Sequence, residues 1–302
     1  MTATAHFGEL LALATALVWA SAVILFKKSG ETASPLGLNL FKNLLAFLLV
    51  LPTMAVMGVA PLRGAPPGDY ALLLLSGVLG IGIADTLFFK SLNLLGAARS
   101  AVVDCLYSPI IILLSVFWLG ERVTAGQGAG GLLIVSAVLA LGGEKGAARI
   151  TRRQLAAGIA LGALSMAAMG VGIVMIKPLL ERSPILWAVE VRFAGAGAFL
   201  LLLLACHPGR RAVLGSLLHS RGWKFMLPGS FLGAYIAILL WVGGMKYATA
   251  SVASALNQAS NLFIFVFAAL FLKERITRPK LAGIVLGVLG VLLVMLGGSP
   301  GG

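Results

Sequence analysis

Five ionisable residues stand inside long apolar stretches: Lys42, Asp85, Asp104, Glu190 and Arg192. Burying an unpaired charge costs several kcal/mol, roughly, so a charge kept in such a stretch has a partner or a task. Lys42 and Arg192 offer cations to a carboxylate or phosphate. Asp85, Asp104 and Glu190 offer carboxyl groups that bind an amine or carry a coupling proton. Lys42 with Asp85 or Asp104 would line one mouth of a central cavity; the alternative is a structural ion pair. Glu190 and Arg192 are two apart on a helix, so they point to different sides and need separate partners.

A second polar group gathers around residues 254–261: Ser254, Asn257, Gln258, Ser260 and Asn261. Asn257 and Asn261 are four apart and share one helical face. Such a face offers donors and acceptors to a solute, or to a neighbouring helix. Shifted by 153 residues, Asn257 falls on Asp104 and Ser260 on Tyr107. Trp19, Phe89, Tyr235 and Trp241 supply candidate apolar walls.

Other chemistries find little support. Cys105 and Cys206 form no CxxC pair, and His6, His207 and His219 fall outside the apolar runs. No HExxH, GxSxG or nucleotide-binding P-loop occurs. No metal site and no cofactor is therefore expected, and a membrane-embedded enzyme is the weaker reading. A structural or assembly subunit is the other rival.

The elements that must position these residues are membrane helices. Of 302 residues, 60% are hydrophobic and 11% charged, with a mean hydropathy of +1.03. Soluble domains carry roughly 25% charged residues. Runs of about 20 apolar residues cross a bilayer as helices. Ten can be drawn: 9–27, 36–57, 70–92, 99–119, 126–143, 155–176, 185–206, 225–245, 249–272 and 280–297. They are continuous rather than alternating, which argues against strands. The first lacks the basic flank of a secretory signal and is read as a retained helix. The net charge of +13 falls mostly in short connectors, as membrane topology requires, so no nucleic-acid partner is expected.

The chain repeats itself. Gly120-Glu121-Arg122-Val123-Thr124 is echoed by Lys273-Glu274-Arg275-Ile276-Thr277, and Ala129-Gly130 by Ala282-Gly283. Ser34-Pro35 and Ser183-Pro184 open the second and seventh runs. This divides the chain into 1–143, a basic linker 144–154, and 155–302. Five helices per half is odd, so the second half enters from the opposite side. The expected fold is all-α, about ten transmembrane helices as two inverted five-helix repeats. Inverted repeats underlie alternating access in many transporters. The GxxxG pairs Gly126/Gly130, Gly158/Gly162, Gly229/Gly233 and Gly283/Gly287 suit close helix packing.

On these motifs the sequence resembles the drug/metabolite transporter superfamily, EamA type, over the whole chain. The segments Ala97-Ala98-Arg99-Ser100-Ala101 and Ala248-Thr249-Ala250-Ser251 carry the likeness, as does Ser183-Pro184 followed by Val191-Arg192-Phe193. Asn39-Leu40-Phe41-Lys42-Asn43 departs from it, with Asn43 where an Arg is commoner. The resemblance implies a multi-pass protein of the bacterial cytoplasmic membrane that exports an amino acid or other metabolite. Its partners would be a small-molecule substrate, the lipid bilayer, and a proton or exchanged solute. It also implies cytoplasmic termini. Loop charge implies the reverse: sixteen Lys and Arg lie on the face of the 28–35 turn and five on the other. Glu121/Arg122 and Glu274/Arg275 read as turn residues that cap or tether helices.

Overall fold

The computed structural model describes residues 2–120, 124–142, 150–218, 221–248 and 250–297, and these contain helices and no strand. Glu121, Arg122, Glu144, Lys145, Arg149, His219 and Thr249 lie outside the described residues, as do the side chains of His6 and Ser254. The helices are α1 Thr2–Ser29, α2 Pro35–Val56, α3 Pro67–Leu95, α4 Ala97–Trp118, α5 Ala125–Gly142, α6 Arg152–Val174 and α7 Lys177–Glu181. They continue with α8 Ile185–Cys206, α9 Arg210–Leu218, α10 Trp223–Tyr247, α11 Ala250–Asn257, α12 Ala259–Phe271 and α13 Arg278–Gly297. Every one of the ten apolar runs falls on a helix. Among the described residues, seven helices are long and apolar enough to cross a membrane: α1 from Phe7, α2, α3, α4, α6, α8 and α10.

Local chemistry sets the helix ends. Ser34 accepts the Gly37 N–H at 3.1 Å, and Pro35 follows at the first helical position, where its missing donor costs nothing. Thr151 and Gln154 form a reciprocal capping box at the start of α6. Between α3 and α4 the chain turns at Gly96, whose φ of 82° suits only glycine. The N–H groups of Ala97 and Ala98 that this turn exposes donate to Glu274, at 2.7 and 3.2 Å. The second E-R-x-T turn thus caps a helix far from it in sequence.

α1 packs against α10, α11 and α12; α8 lies on α2 and α3; α6 covers α3 and α4; and α5 pairs with α13. The α3–α8 crossing is close because both helices present glycine. A Cβ on Gly77 would sit 1.9 Å from the Arg192 carbonyl oxygen, and one on Gly195 would sit 2.3 Å from that of Leu74. The same crossing carries Arg192 into the middle of the bundle.

Four departures from regular α-helix bear on the site. α3 and α10 each contain a π-helical segment, Val78–Ile83 and Phe231–Ile236, which are 153 residues apart. π segments widen a helix by one residue per turn and are frequent at functional sites. The run 99–119 is not one regular helix: it breaks at Cys105-Leu106. Pro109 is the cause, because it has no N–H for the Cys105 carbonyl. The Ser108 N–H turns to the Cys105 carbonyl instead, at 3.3 Å, leaving the Asp104 carbonyl without a backbone donor. The run 249–272 breaks likewise, between α11 and α12 at Gln258.

Candidate functional site

The two breaks meet. The Gln258 side-chain amide donates to the carbonyls of Asp104, at 3.1 Å, and Cys105, at 3.3 Å. Asn261 donates to the Gln258 side-chain oxygen, locking that amide in orientation. Helix ends inside a bilayer must be satisfied by protein, and here one half of the chain satisfies the other.

Above this junction lies a cavity of about 80 Å³. By the same kind of measure one water needs roughly 10–15 Å³, so the space admits a small metabolite rather than a single water. Of the residues singled out in the sequence, Lys42, Asp85, Asp104, Tyr107, Arg192, Asn257, Gln258 and Asn261 line it, with Trp19 and Trp241 among the apolar walls. Gly80 and Gly233, one in each π segment, line it too.

The four charges on this wall are unequal. Lys42 Nζ lies 2.6 Å from Asp85 Oδ2, and both side chains are buried, so this pair neutralises itself. It joins α2 to α3, and Asp104 takes no part. Arg192 is 1% exposed and, among the described residues, has no carboxylate within ion-pair distance. Its Nε donates to Ser76 Oγ at 3.0 Å, and its guanidinium carbon stands 5.8 Å from the Trp241 ring centre. Its Nη1 has no acceptor. Ser76 in turn donates to the Gly172 carbonyl, which fixes its lone pairs toward Arg192. Asp104 is also buried, and among the described residues nothing donates to its carboxylate or pairs with it. The Tyr107 hydroxyl and the Asn257 side-chain oxygen are buried beside it without partners. One wall therefore carries an unpaired guanidinium. Another carries an unpaired carboxylate and two unpartnered oxygens.

Four residues singled out in the sequence lie off the cavity wall. Asn43 donates to the Phe193 carbonyl at 3.1 Å and ties α2 to α8. Glu190 is buried on the same helix as Arg192 but turned away from it. Phe89 packs its ring 5.0 Å from that of Phe26, and Phe88 takes the wall position. The Tyr235 hydroxyl is bonded to Thr53 at 2.6 Å. Sequence reasoning missed Ser76, Thr15, Met166 and Met169. Thr15 stands one helical turn before Trp19, and Met166 and Met169 share a face, so spacing could have found them. Ser76 gives no such signal, being one serine in an apolar run.

The sequence profile of the EamA-like transporter family matches residues 6–143 and again residues 156–296. The chain belongs to the EamA-like transporter family. It is accordingly a multi-pass integral membrane protein of a transporter family, and its EamA regions coincide with the helices that build the cavity. It is 25% identical to an uncharacterized transporter of Archaeoglobus fulgidus over 294 residues, 95% of this chain and 97% of that one. It is 29% identical to the uncharacterized transporter YetK of Bacillus subtilis over 157 residues, and to the uncharacterized inner membrane transporter YhbE of Escherichia coli over 140. These two matches span about half of the chain, 52% and 46%, and under half of each relative, 46% and 44%. A solved crystal structure has the same fold, with a TM-score of 0.70 at 20% identity, covering 97% of both chains.

Proposed function

We propose that this chain is a secondary transporter of a small zwitterionic metabolite with an apolar portion, an amino acid being the simplest case. The observation that carries this reading is the pair of unpaired opposite charges, Arg192 and Asp104, on the wall of one cavity. A solute carboxylate meets the guanidinium of Arg192, whose planar fork suits it. A solute ammonium meets the Asp104 carboxylate, with the Tyr107 and Asn257 oxygens as further acceptors. Trp19, Phe88, Met166, Met169 and Trp241 receive the apolar part. Such a molecule brings no net charge into the bilayer and completes both unpaired groups.

Alternating access follows from two inverted halves in this reading. The π segments of α3 and α10 and the two helix breaks stand at matching places in the two halves, which supports two units that exchange roles. Without a P-loop, the energy comes from a gradient or from exchange. The E. coli relative's name supports the inner membrane as the location, and family resemblance supports export.

Counterflow in liposomes tests the reading. Protein loaded with a neutral amino acid should accumulate the labelled amino acid from outside. The matching amide and the decarboxylated amine, which lack the carboxylate, should fail to compete. Equal competition by amine and amino acid would remove Arg192 as the anchor, and lack of counterflow for every zwitterion tested would overturn the assignment.

A further inference from the structure

Glu190 presents a problem that the cavity does not answer. It stands on α8, five residues from the helix start, or about 8 Å at 1.5 Å per residue. Its side chain is 4% exposed, and both oxygens are buried without a hydrogen-bond donor or a cation. Among the described residues, the charged groups packed around α8 are engaged elsewhere or exposed. Lys42 of α2 holds Asp85 of α3, and Asp69 of α3 holds Arg182. Lys246 of α10 donates to the Ser183 carbonyl, and Arg210 of α9 to that of Ala205. Arg192 faces Ser76 and Trp241. The phenols of Tyr70 and Tyr235 are bonded to the Arg63 backbone and to Thr53. Lys90 of α3 and Lys224 of α10 are exposed, as is Arg211 of α9.

A bare carboxylate in such a place has neither water nor a counter-charge, and its desolvation costs several kcal/mol, roughly. A neutral carboxylic acid avoids that cost. One turn toward the helix start, the Trp187 indole N–H is buried and equally without a partner. The Trp187 ring stacks edge-on with Tyr70 at 5.1 Å and lies 5.3 Å below the guanidinium of Arg63, an exposed residue of the 57–66 connector. The nearest water is therefore at that face, past Trp187.

We propose that Glu190 is a proton-binding site separate from the solute cavity, neutral in this conformation, and that it exchanges its proton with water on the face of the 57–66 connector. The carboxylate gains a proton from water there and returns it when α8 moves, with Trp187 a donor to the bare carboxylate; no electrons change hands. Because Arg192 rides on the same helix, the proton's binding is tied to the solute's. That last clause rests on the transport reading, whereas the protonated state of Glu190 does not.

Two measurements test this on the full chain in liposomes. The difference between infrared spectra of the parent chain and of Glu190→Gln at neutral pH should show the carbonyl stretch of a buried carboxylic acid, shifted in frequency in Glu190→Asp, and the same difference should persist in an Asp104→Asn background. If Glu190→Gln leaves that band unaltered, the site is overturned, whatever the transported solute. Accumulation of labelled solute driven by a pH gradient should fall in Glu190→Gln to its level without a gradient, while counterflow persists. Undiminished gradient-driven accumulation in that variant overturns the coupling role. Unchanged counterflow in Arg192→Met with the infrared band intact would overturn the cavity reading alone and leave the Glu190 site standing.

Discussion

Lys42 and Arg192 face one cavity from α2 and α8, 150 residues apart, yet only Lys42 has a carboxylate. Its ammonium is held by Asp85 at 2.6 Å, whereas Arg192 has a serine hydroxyl and an indole face. The two cations therefore have different work. Lys42 is neutralised in place, and Arg192 is left with hydrogen-bonding capacity in a buried setting.

Replacing Arg192 should cost solute recognition. Hydrogen bonds to charged groups contribute about 1.5–3 kcal/mol, so Arg192→Met should raise the KM for a carboxylate solute about 10–100-fold. Arg192→Lys should recover little of it, since an ammonium lacks the fork that reaches Ser76 and a carboxylate together. Counterflow kinetics measure both, and an unchanged KM would contradict the assignment.

The Lys42–Asp85 pair should behave as a unit. Asp85→Asn leaves an ammonium buried without its charge partner, at a cost of about 3–5 kcal/mol. Thermal unfolding in detergent should show a clear drop for either single variant. The double variant Lys42→Met, Asp85→Leu should regain most of the loss. Flux retained in the double variant would mark the pair as structural.

Gly77→Ala should prevent α3 from docking on α8, because the added carbon meets the Arg192 backbone at 1.9 Å. A backbone atom cannot rotate away as a side chain can. The variant should yield little monodisperse protein on size-exclusion chromatography. Gly128→Ala, which meets open space, should yield as much as the parent chain.

Pro109→Ala restores an N–H one turn beyond Cys105. The break in α4 should close, and the Ser108 and residue-109 amides should gain protection in hydrogen exchange. Gln258→Leu acts on the same place differently. It leaves the Asp104 carbonyl without its donor and the Cys105 carbonyl with the Ser108 N–H alone, at a cost of about 1–3 kcal/mol, and should increase amide exchange around the break.

Cysteine labelling should decide the orientation. Cys206 is exposed at the end of α8 and Cys105 is buried, so a membrane-impermeant maleimide should modify Cys206 alone. Labelling only from the cytoplasmic side places the termini outside, as loop charge requires. Labelling from the opposite side places them inside, as family resemblance implies.

The sequence by itself determined the helical membrane character and the candidate charges. Both are one-dimensional properties. Hydrocarbon needs about 20 apolar residues per span, and a charge within such a run is visible wherever it occurs. The offset of 153 residues is equally legible, and it matches Asp104 in one half with Asn257 in the other. Spacing cannot tell which charges meet. Asp85 and Asp104 were equal candidates for Lys42 because both approach the same face, and only the rotation of α3 against α2 chose Asp85. The Ser76 contact of Arg192 depends on the Gly77–Arg192 crossing, a relation between helices distant in sequence. Glu190 and Arg192 looked alike as intramembrane ions. Tertiary packing gave one a cavity wall and left the other's carboxyl buried without a partner, because two residues on a helix point about 200° apart.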